Sequence, residues 1–409
     1  MHVGFVLQDD FPIDEEVRTR KAARTIHERG HDVTILARKG VIKATQGRRS
    51  ADTVPYASVE RFGVPGRPWL ERYLTAPLPF NPFWSLWLRR QFARKEFDVV
   101  VVGDLRPGIP AILAARTLDV PVIVDLRENY PEFAKSIDRE SPLDHVALHP
   151  ITVGVLERLT VRLADHVWVM VPERTQALVE AGVPESKLTV VSNTPVLDDY
   201  DGASLDPPDL APSDFSLVYV GRLAEYRGLD LVIDAVSHLL DADEDISLIV
   251  GGDGPHKDAL ERRCSSLGIE DHVVFTGWVD SDRVFDVMAA GDVGVIPHQV
   301  NRDQNTTVPN KLFDYMLVGL PVLSTNITPI RRIVSETECG RVLPSNATPA
   351  DVARAVTTMK RSDDLDAYAR KGGNAVRSTY HWERDAQRAL SSIESLVPGE
   401  PFAVPTSPP

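Results

Sequence analysis

Short apolar runs without polar alternation recur along the whole chain, and segments with helical periodicity separate them. Runs of this kind are typical of parallel strands that are covered by helices on both faces. The pattern therefore predicts an α/β protein built from doubly wound parallel sheets. The predicted strands are Val3–Leu7, Asp32–Ala37, Asp98–Val102, Pro121–Asp125, His166–Val171, Leu188–Ser192, Phe215–Gly221, Ile246–Gly251, His272–Gly277, Asp292–Pro297, Pro321–Thr325 and Gly340–Leu343.

Residues 197–214, LDDYDGASLDPPDLAPSD, divide this pattern into two halves. The segment is acidic, rich in proline and poor in apolar periodicity, which predicts a linker. A chain of 409 residues is also long for one domain. We therefore expect an N-terminal domain over 1–196, a C-terminal domain over 215–378 and a disordered, proline-rich tail over 399–409. Ligands of such domains bind outside the carboxyl ends of the strands, so functional residues should follow the strands directly.

The bulk properties narrow the classes of function and location. A net charge of −14 argues against a general nucleic-acid binder, whose affinity depends on neutralising phosphates. The two cysteines, Cys264 and Cys339, have no metal-ligand spacing and are typical of a reducing compartment. No apolar run is long enough for a transmembrane helix, and the N-terminus enters a strand without a signal-peptide pattern. These features predict a cytoplasmic protein.

A helix followed at once by a buried strand is predicted at PNKLFDYMLVGLPVLST, Pro309–Thr325. Asp314 is the acidic residue of this helix, and Gly319 is expected to close it. Earlier, the segment GRLAEYRGLDLVIDAV carries Arg222 and Arg227 in a loop that leads from a strand into a helix. Two guanidinium groups beside a helix N-terminus would bind a diphosphate, although two solvated loop arginines are the alternative.

The glycines of VGGDGPHKDAL, Gly252 and Gly254, are weaker evidence because such a turn often only admits a tight backbone path. Lys257 stands where the last glycine of a G-x-G-x-x-G fingerprint would be, which disfavours a nicotinamide cofactor.

Residues 215–345 resemble the retaining glycosyltransferases of family four, which have the GT-B fold of two Rossmann-like doubly wound domains facing a central cleft. The resemblance is carried, in the family's order and spacing, by GRLAEYRGLDLVIDA, GGDGPHKDAL, VVFTGWVDSDRVFDVMAAGDVGVIPH and PNKLFDYMLVGLPVLST. STYHWERDAQRAL is similar to the family's last helix, expected at about 379–398, which returns to the first domain.

The resemblance implies a donor site for a nucleotide-diphosphate sugar, such as a UDP- or GDP-sugar, with no other cofactor and no metal. Arg222 and Arg227 would hold the diphosphate and stabilise charge on the leaving nucleotide. Asp314 matches the second acid of the family's paired-acid motif and would accept hydrogen bonds from the ribose, whereas Thr306 stands in place of the first acid. The residues expected around the donor are Gly221, Arg222, Arg227, Gly252, Gly254, His298, Thr306, Thr307, Asn310, Lys311 and Asp314.

The first half matches the family's acceptor-side strands at VVVGDLRPGIPAILAAR and VIVDLRENYPEF. Related enzymes carry histidine where Gly103 and Arg127 stand. Asp104, Asp125 and Glu128 follow or end strands, and we predict that they orient an acceptor hydroxyl or stabilise the oxocarbenium ion. Helix capping is the alternative role for such acids. The glycine pair common in the family's first loop is replaced by Gln8–Pro12.

Residues 61–95 combine aromatic side chains with a strong positive charge. The segment holds three of the six tryptophans, and its seven cations are opposed by Glu71 alone. This composition fits contact with an anionic membrane or a groove for a lipid-linked acceptor. The alternative is a buried aromatic helix with an arginine-rich outer side. The segment would make the protein peripheral on the inner face of the plasma membrane.

Together these features predict a retaining glycosyltransferase that moves a sugar to a hydroxyl of a glycan or lipid-linked acceptor. Two alternatives stay open. One is an epimerase or phosphorylase on a similar scaffold, and the other is a non-catalytic sugar-nucleotide-binding or assembly protein of polysaccharide synthesis. The identity of the base, the sugar and the acceptor depends on a few contacts that vary within one fold.

Overall fold

The computed structural model describes residues 1–8, 17–38, 53–62, 82–135, 148–200, 205–302, 304–362 and 364–397. The chain forms two compact units. The first is Met1–Asn193 with the segment that begins at Glu383, and the second is Thr194–Trp382. Each unit has its own sheet with helices around it, so the predicted α/β class is confirmed. Residues 399–409, predicted as a disordered tail, and 201–204 of the predicted linker lie outside the described residues.

The first unit contains a sheet in the order β3-β4-β2-β1-β5-β6-β7-β8. All neighbours are parallel except β3 and β4, which are antiparallel. The strands are β1 His2–Leu7, β2 Asp32–Arg38, β3 Thr53–Val54, β4 Ala57–Phe62, β5 Val99–Gly103, β6 Val122–Leu126, β7 His166–Val169 and β8 Leu188–Val190. The helices are α1 Val17–Glu28, α2 Pro82–Lys95, α3 Gly108–Arg116, α4 Tyr130–Phe133, α5 Pro150–Leu163 and α6 Pro172–Glu180.

The sheet of the second unit is entirely parallel and has the order β11-β10-β9-β12-β13-β14. The strands are β9 Ser216–Val220, β10 Ser247–Gly251, β11 Val273–Gly277, β12 Val293–Ile296, β13 Val322–Ser324 and β14 Gly340–Val342. The helices are α7 Leu229–Leu240, α8 Lys257–Leu267, α9 Val284–Ala289, α10 Asn310–Val318, α11 Thr328–Thr337, α12 Pro349–Lys360 and α13 Leu365–Ser378. This is the order of a Rossmann sheet, whose direction of winding reverses between β9 and β12.

The last helix, α14 at Trp382–Glu394, packs on the first unit. The indole N–H of Trp168 donates to Ser392 Oγ at 2.8 Å, and the backbone N–H of Ser192 donates to Asp385 Oδ1 at 3.0 Å. The side chains of Leu390 and Ile393 are buried. These contacts explain why the chain returns to its first unit after completing the second.

Every predicted strand is present, and the predicted junction at Pro309–Thr325 is confirmed. Gly319 ends α10 with φ of 79°, in the left-handed region that favours glycine, and β13 follows within three residues. Tyr315 projects from α10 to the reversal point, where its hydroxyl lies 3.3 Å from both Val220 N and Val218 O. This fully buried ring lies against Gly294 of β12, where an added Cβ would be 2.5 Å from it.

In the part of the chain that the structure describes, no helix has the length and apolar character required to cross a bilayer.

Candidate functional site

Two loops at the carboxyl edge of the second sheet touch through their backbones. They follow β9 and β10, and they contain Gly221, Gly252 and Gly254, which have φ of 146°, 136° and 158°. A Cβ on Gly252 would lie 2.0 Å from the Gly221 carbonyl oxygen, and one on Gly254 would lie 2.2 Å from that of Leu223. The N–H of Leu223 donates to the carbonyl of Asp253 at 2.9 Å. These glycines therefore let the two loops pack as one layer.

The loop after β9 also packs against the loop after β12. Gly228 has φ of 69°, and its Cβ position is only 2.1 Å from the carbonyl oxygen of Pro297. This approach brings Arg227 onto the imidazole of His298, with Nη1 at 3.0 Å from Nε2. The other ring nitrogen, Nδ1, lies 3.0 Å from Gln304 Oε1. Arg227 Nη1 is also 3.3 Å from Nδ1 and so lies close to both ring nitrogens. Because an amide oxygen can only accept, Nδ1 donates to Gln304 and carries the ring proton.

His298 is fully buried. Burial, followed by the charges of Arg227 and Lys311, lowers the pKa of His298 well below its usual value. The ring is therefore neutral at pH 7 and acts as an internal support for Arg227.

Lys311 is the most informative residue of the site. It lies in the first turn of α10 with 8% of its surface exposed, and its Nζ has no hydrogen-bond partner among the described residues. The Nζ sits 3.4 Å from the centroid of the Tyr219 ring and 2.9 Å from where a Cβ on Gly221 would be. Burial, and then the charge of Arg227, lowers the pKa of Lys311 well below its usual value. A buried amine without a hydrogen-bond acceptor is costly, so this position is suited to an anionic ligand.

The two arginines predicted to hold a diphosphate differ in their surroundings. The guanidinium of Arg227 is partly buried, and its Nε also has no hydrogen-bond partner in the described chain. Arg222 is exposed, while its carbonyl oxygen accepts a 3.0 Å hydrogen bond from the Tyr219 hydroxyl. Arg227 and Lys311 therefore form a preorganised cationic pair, whereas the Arg222 side chain extends into solvent from a fixed backbone.

The other predicted donor-site residues follow β12 along the chain. Thr306 ends the 3₁₀ helix Gln304–Thr306, and Thr307 is half-buried. Asn310 is the exposed first residue of α10. Asp314 is half-buried, one turn after Lys311 and therefore on the same side of the helix. Its charge raises the pKa of Lys311, against the larger effects of burial and Arg227.

The acidic residues predicted on the acceptor side end strands of the first sheet or follow them. Asp104, after β5, has φ of 85°, a strained conformation for a residue other than glycine. Its Oδ1 accepts a 2.6 Å hydrogen bond from the hydroxyl of Tyr130. Burial, and then the charge of Asp104, raises the pKa of Tyr130 well above its usual value. Glu128 is half-buried beside this pair in the chain.

Asp125 lies inside the unit, where arginines occupy both of its oxygens. Arg18 contacts it through Nε at 2.8 Å and Nη2 at 2.7 Å, and Arg127 Nε lies 3.3 Å away. Burial alone would raise the pKa of Asp125, but the two guanidinium groups outweigh burial and lower it. The carboxylate therefore fixes these two arginines and presents no free oxygen to an acceptor.

Arg18 was not anticipated from the sequence, although a signal exists. It lies on the same face of α1 as the buried Ala22 and Ile26, where a charged residue needs a buried partner. Arg127 in turn donates from Nη2 to Thr19 Oγ1 at 2.7 Å. A Cβ on Gly103 would lie 2.6 Å from that Nη2, so Gly103 makes room for Arg127.

No group of three or more His, Cys, Asp or Glu side chains suitable for a metal ion occurs among the described residues. Asp9–Pro12 of the replaced first loop and 63–81 of the basic aromatic segment lie outside them. Within that segment, Trp84 is buried in the core with Leu88 and Phe92. Arg89, Arg90 and Arg94 are exposed on the opposite side of α2.

Two doubly wound Rossmann-like units, with charged residues at the carboxyl ends of their strands, are the architecture of the GT-B fold. The sequence profile described as "Glycosyl transferases group 1" matches residues 214–361, and the "Glycosyl transferase 4-like domain" profile matches residues 15–194. The chain therefore belongs to the group 1 glycosyltransferases of family four, and the predicted family is confirmed.

Curated relatives resemble the chain over most of its length. The 2-deoxystreptamine glucosyltransferase of Streptomyces kanamyceticus is 27% identical over 352 residues, which span 81% of this chain and 87% of the relative. The phosphatidyl-myo-inositol mannosyltransferase of Mycobacterium leprae (strain TN) is 24% identical, spanning 79% of this chain and 80% of the relative. Among solved structures, HepE of Anabaena in complex with UDP and glucose superimposes with a TM-score of 0.71 at 17% identity, covering 97% of this chain and 100% of HepE. At this identity the last similarity shows the fold alone.

Proposed function

We propose that this glycosyltransferase takes a sugar from a nucleotide-diphosphate donor and transfers it to a hydroxyl group with retention of configuration. The observation that supports the donor class is the pair of Lys311 and Arg227, two buried or partly buried cations with unused N–H groups. A diphosphate provides several acceptor oxygens and the negative charge that this pair lacks. The solved HepE complex with UDP and glucose agrees with a donor of this class.

The proposed reaction needs no metal ion because the protein supplies positive charge. Negative charge develops on the leaving nucleoside diphosphate as the glycosidic bond breaks. Lys311, Arg227 and the solvent-facing Arg222 would stabilise it, and the N-terminus of α10 would add backbone N–H groups. Asp314, one turn into the same helix, is proposed to accept hydrogen bonds from the ribose. Thr306 or Thr307 would contact the sugar in place of the family's first acid.

The proposed acceptor is a hydroxyl of a glycan or a lipid-linked molecule. The curated relatives support both soluble and lipid-borne acceptors, since one is named for 2-deoxystreptamine and the other for phosphatidyl-myo-inositol. Asp104 is the acid best placed for this role, because its φ of 85° presents it at the end of β5 and Tyr130 holds one of its oxygens. Asp125 supports the same edge indirectly, through Arg18 and Arg127.

Donor hydrolysis without acceptor tests the proposal. Purified protein is incubated with UDP- and GDP-sugars, with and without a chelator, and release of the nucleoside diphosphate is followed. Slow release that the chelator does not affect, with the anomeric configuration of the first-formed sugar unchanged by NMR, is expected. Binding of UDP or GDP without release from any donor would instead favour the non-catalytic sugar-nucleotide-binding protein, which the Thr306 departure also permits.

We further propose that the protein works peripherally on the inner face of the plasma membrane, as the basic composition of residues 61–95 predicts. This location would bring a lipid-linked acceptor within reach. Retention by anionic vesicles at low salt is the measurement that decides it.

A further inference from the structure

Exposed apolar side chains are concentrated on one side of the first unit. Ten large apolar residues among the described ones are more than one third exposed, and seven of them lie on α2 to α5. The most exposed are Ile151 at 72% and Val155 at 60%, which form one stripe along α5 with Leu159. The other members are Phe83, Leu86, Leu113 and Phe133. Apolar exposure on this scale indicates an interaction surface.

These residues belong to one continuous face because their helices are neighbours. Helix α2 packs on α3, α3 packs on α5, and α4 packs on α5. Arg89 Nε of α2 donates to Thr117 Oγ1 at the end of α3, at 3.1 Å. Arg116 Nη2 of α3 donates to the carbonyl of Leu163 at the end of α5, also at 3.1 Å. We call this surface, formed by the outer sides of α2, α3, α4 and α5, the apolar-basic face.

The charge of the apolar-basic face is opposite to that of the whole protein. Glu157 is the one acid on α2, α3 and α5, and it is buried against Arg174 at 2.5 Å. Helix α4 carries Glu132, which pairs with Lys135 at 2.5 Å. None of the exposed arginines on these helices forms an ion pair with a described residue, in a chain of net charge −14. They are Arg89, Arg90, Arg94, Arg116, Arg158 and Arg162.

The most exposed apolar residues are concentrated nearer one end of their helices than the arginines are. Helices α2, α3 and α5 run antiparallel to their strands, so they begin near the carboxyl edge of the sheet. Phe83, Ile151 and Val155 lie in the N-terminal halves, and the arginines lie in the C-terminal halves. Leu113 and Leu159 lie in the C-terminal halves as well, next to arginines. Phe133 of α4 lies at the same edge, in the helix whose Tyr130 holds Asp104.

We propose that the apolar-basic face docks on a membrane containing anionic phospholipid. The apolar residues enter the boundary between headgroups and acyl chains, and the arginines contact lipid phosphates. A second copy of the chain fits this surface poorly, since a two-fold interface would bring the same unpaired arginines together. Nucleic acid fits poorly as well, because it offers no apolar partner for Ile151 and Val155.

The docking itself does not require sugar transfer. A role of docking in acceptor binding does rest on the proposed function. In that case docking would hold the carboxyl edge of the first sheet, with Asp104, at the depth of the lipid headgroups. The inference moves the centre of the proposed membrane surface from residues 61–95 to α5.

Vesicle co-sedimentation of the full chain tests the proposal. Phosphatidylcholine vesicles are compared with vesicles of phosphatidylcholine and phosphatidylglycerol, at low and high salt. Two double variants are made on α5, Ile151→Ser with Val155→Ser, and Arg158→Glu with Arg162→Glu. Each is expected to lower binding to the anionic vesicles by about tenfold or more. The matched control in the second unit combines Leu267→Ser with Arg262→Glu, both exposed, and should bind like wild type.

The possible outcomes separate this inference from the proposals on which it builds. If the wild-type protein does not bind anionic vesicles at low salt, both the membrane location and the docking role of the apolar-basic face are wrong. If wild type binds and the α5 variants bind equally well, the location stands and the face is wrong. Sedimentation with a DNA duplex instead of vesicles, or a dimer that the α5 variants dissociate, would also overturn it. Donor hydrolysis without vesicles should be the same in all variants, so its loss would indicate a defect in folding rather than in docking.

Discussion

The substitution Lys311→Met should raise the stability of the nucleotide-free protein and lower its affinity for nucleotide. Methionine keeps the unbranched apolar stem and removes the amine that has no hydrogen-bond partner among the described residues. An unsatisfied buried donor costs about 1–3 kcal/mol, so the nucleotide-free variant should be more stable by about that amount. A hydrogen bond to a charged group contributes about 1.5–3 kcal/mol, so affinity for UDP or GDP should fall by roughly 10- to 150-fold.

The pH dependence of stability gives a second measurement. The folded-state pKa of Lys311 is lowered from its usual 10.5, so between the folded-state value and 10.5 the unfolded chain binds more protons than the folded one. Wild-type stability should therefore rise with pH toward about 10, and the variant should lack this increment. Urea unfolding at neutral and alkaline pH measures it, with isothermal titration of UDP and GDP at pH 7 for the affinity.

Lys371→Met is the matched control, because Lys371 is exposed on α13 in the same unit and pairs with Glu338 at the surface. It should leave the affinity for nucleotide unchanged. If Lys311→Met binds UDP or GDP as tightly as the wild-type protein, the assignment of Lys311 to diphosphate binding is wrong. A marked loss of stability in the nucleotide-free variant would refute the conclusion that the amine is unsatisfied.

Three further predictions concern the fold and the site. Arg222→Ala should lower donor turnover by about 10²-fold or more with little loss of UDP or GDP affinity, since its exposed guanidinium is proposed to act mainly on the leaving group; an unchanged rate in steady-state assays would contradict this. Gly252→Ala should destabilise the folded protein by about 3 kcal/mol or more, because its Cβ would lie 2.0 Å from a carbonyl oxygen. Gly319→Ala has open space around the added Cβ and should cost only about 1 kcal/mol for its positive φ. Equal shifts of the two urea midpoints would contradict this prediction. Asp125→Asn should lower the free energy of unfolding by about 3–5 kcal/mol at pH 7, because Arg18 loses its buried partner. The folded-state pKa of Asp125 is lowered, so the carboxylate stabilises the protein above its usual pKa of 3.8 and this stabilisation is lost as pH falls through the folded-state value. The difference in unfolding free energy between variant and wild type should therefore vanish in acid.

The strands could be predicted from the sequence because most are buried on both faces, which gives continuous apolar runs. The exceptions, β3 and β4, were missed. Strand β4 reads ASVERF, with polar residues between apolar ones and no fully buried position, and it lies near the edge of the sheet. A half-exposed strand with this composition resembles a surface loop in sequence, and its position becomes clear only from its pairing with β2.

The sequence could predict a candidate site but not the contacts within it. The rule that ligands bind after strands predicts Arg222, Arg227 and Asp104 as site residues without knowledge of their partners. The contact of Arg227 with His298 depends on the approach of Gly228 to Pro297, between loops 69 residues apart in the chain. The pair of Arg18 and Asp125 joins residues separated by 107 positions. No local sequence pattern reveals contacts between residues so far apart in the chain. The burial of Lys311 and Asp125 could therefore be recognised only from the folded structure.

The backbone contact between the loops after β9 and β10 also limits how this enzyme can be redesigned. Because Gly252 and Gly254 lie directly against Gly221 and Leu223, a loop taken from a relative fits beside the other loop only if it also has glycine at these two positions. A library that randomises the rest of either loop should keep both glycines fixed. Variants that lose them should unfold at lower urea concentration than variants that keep them.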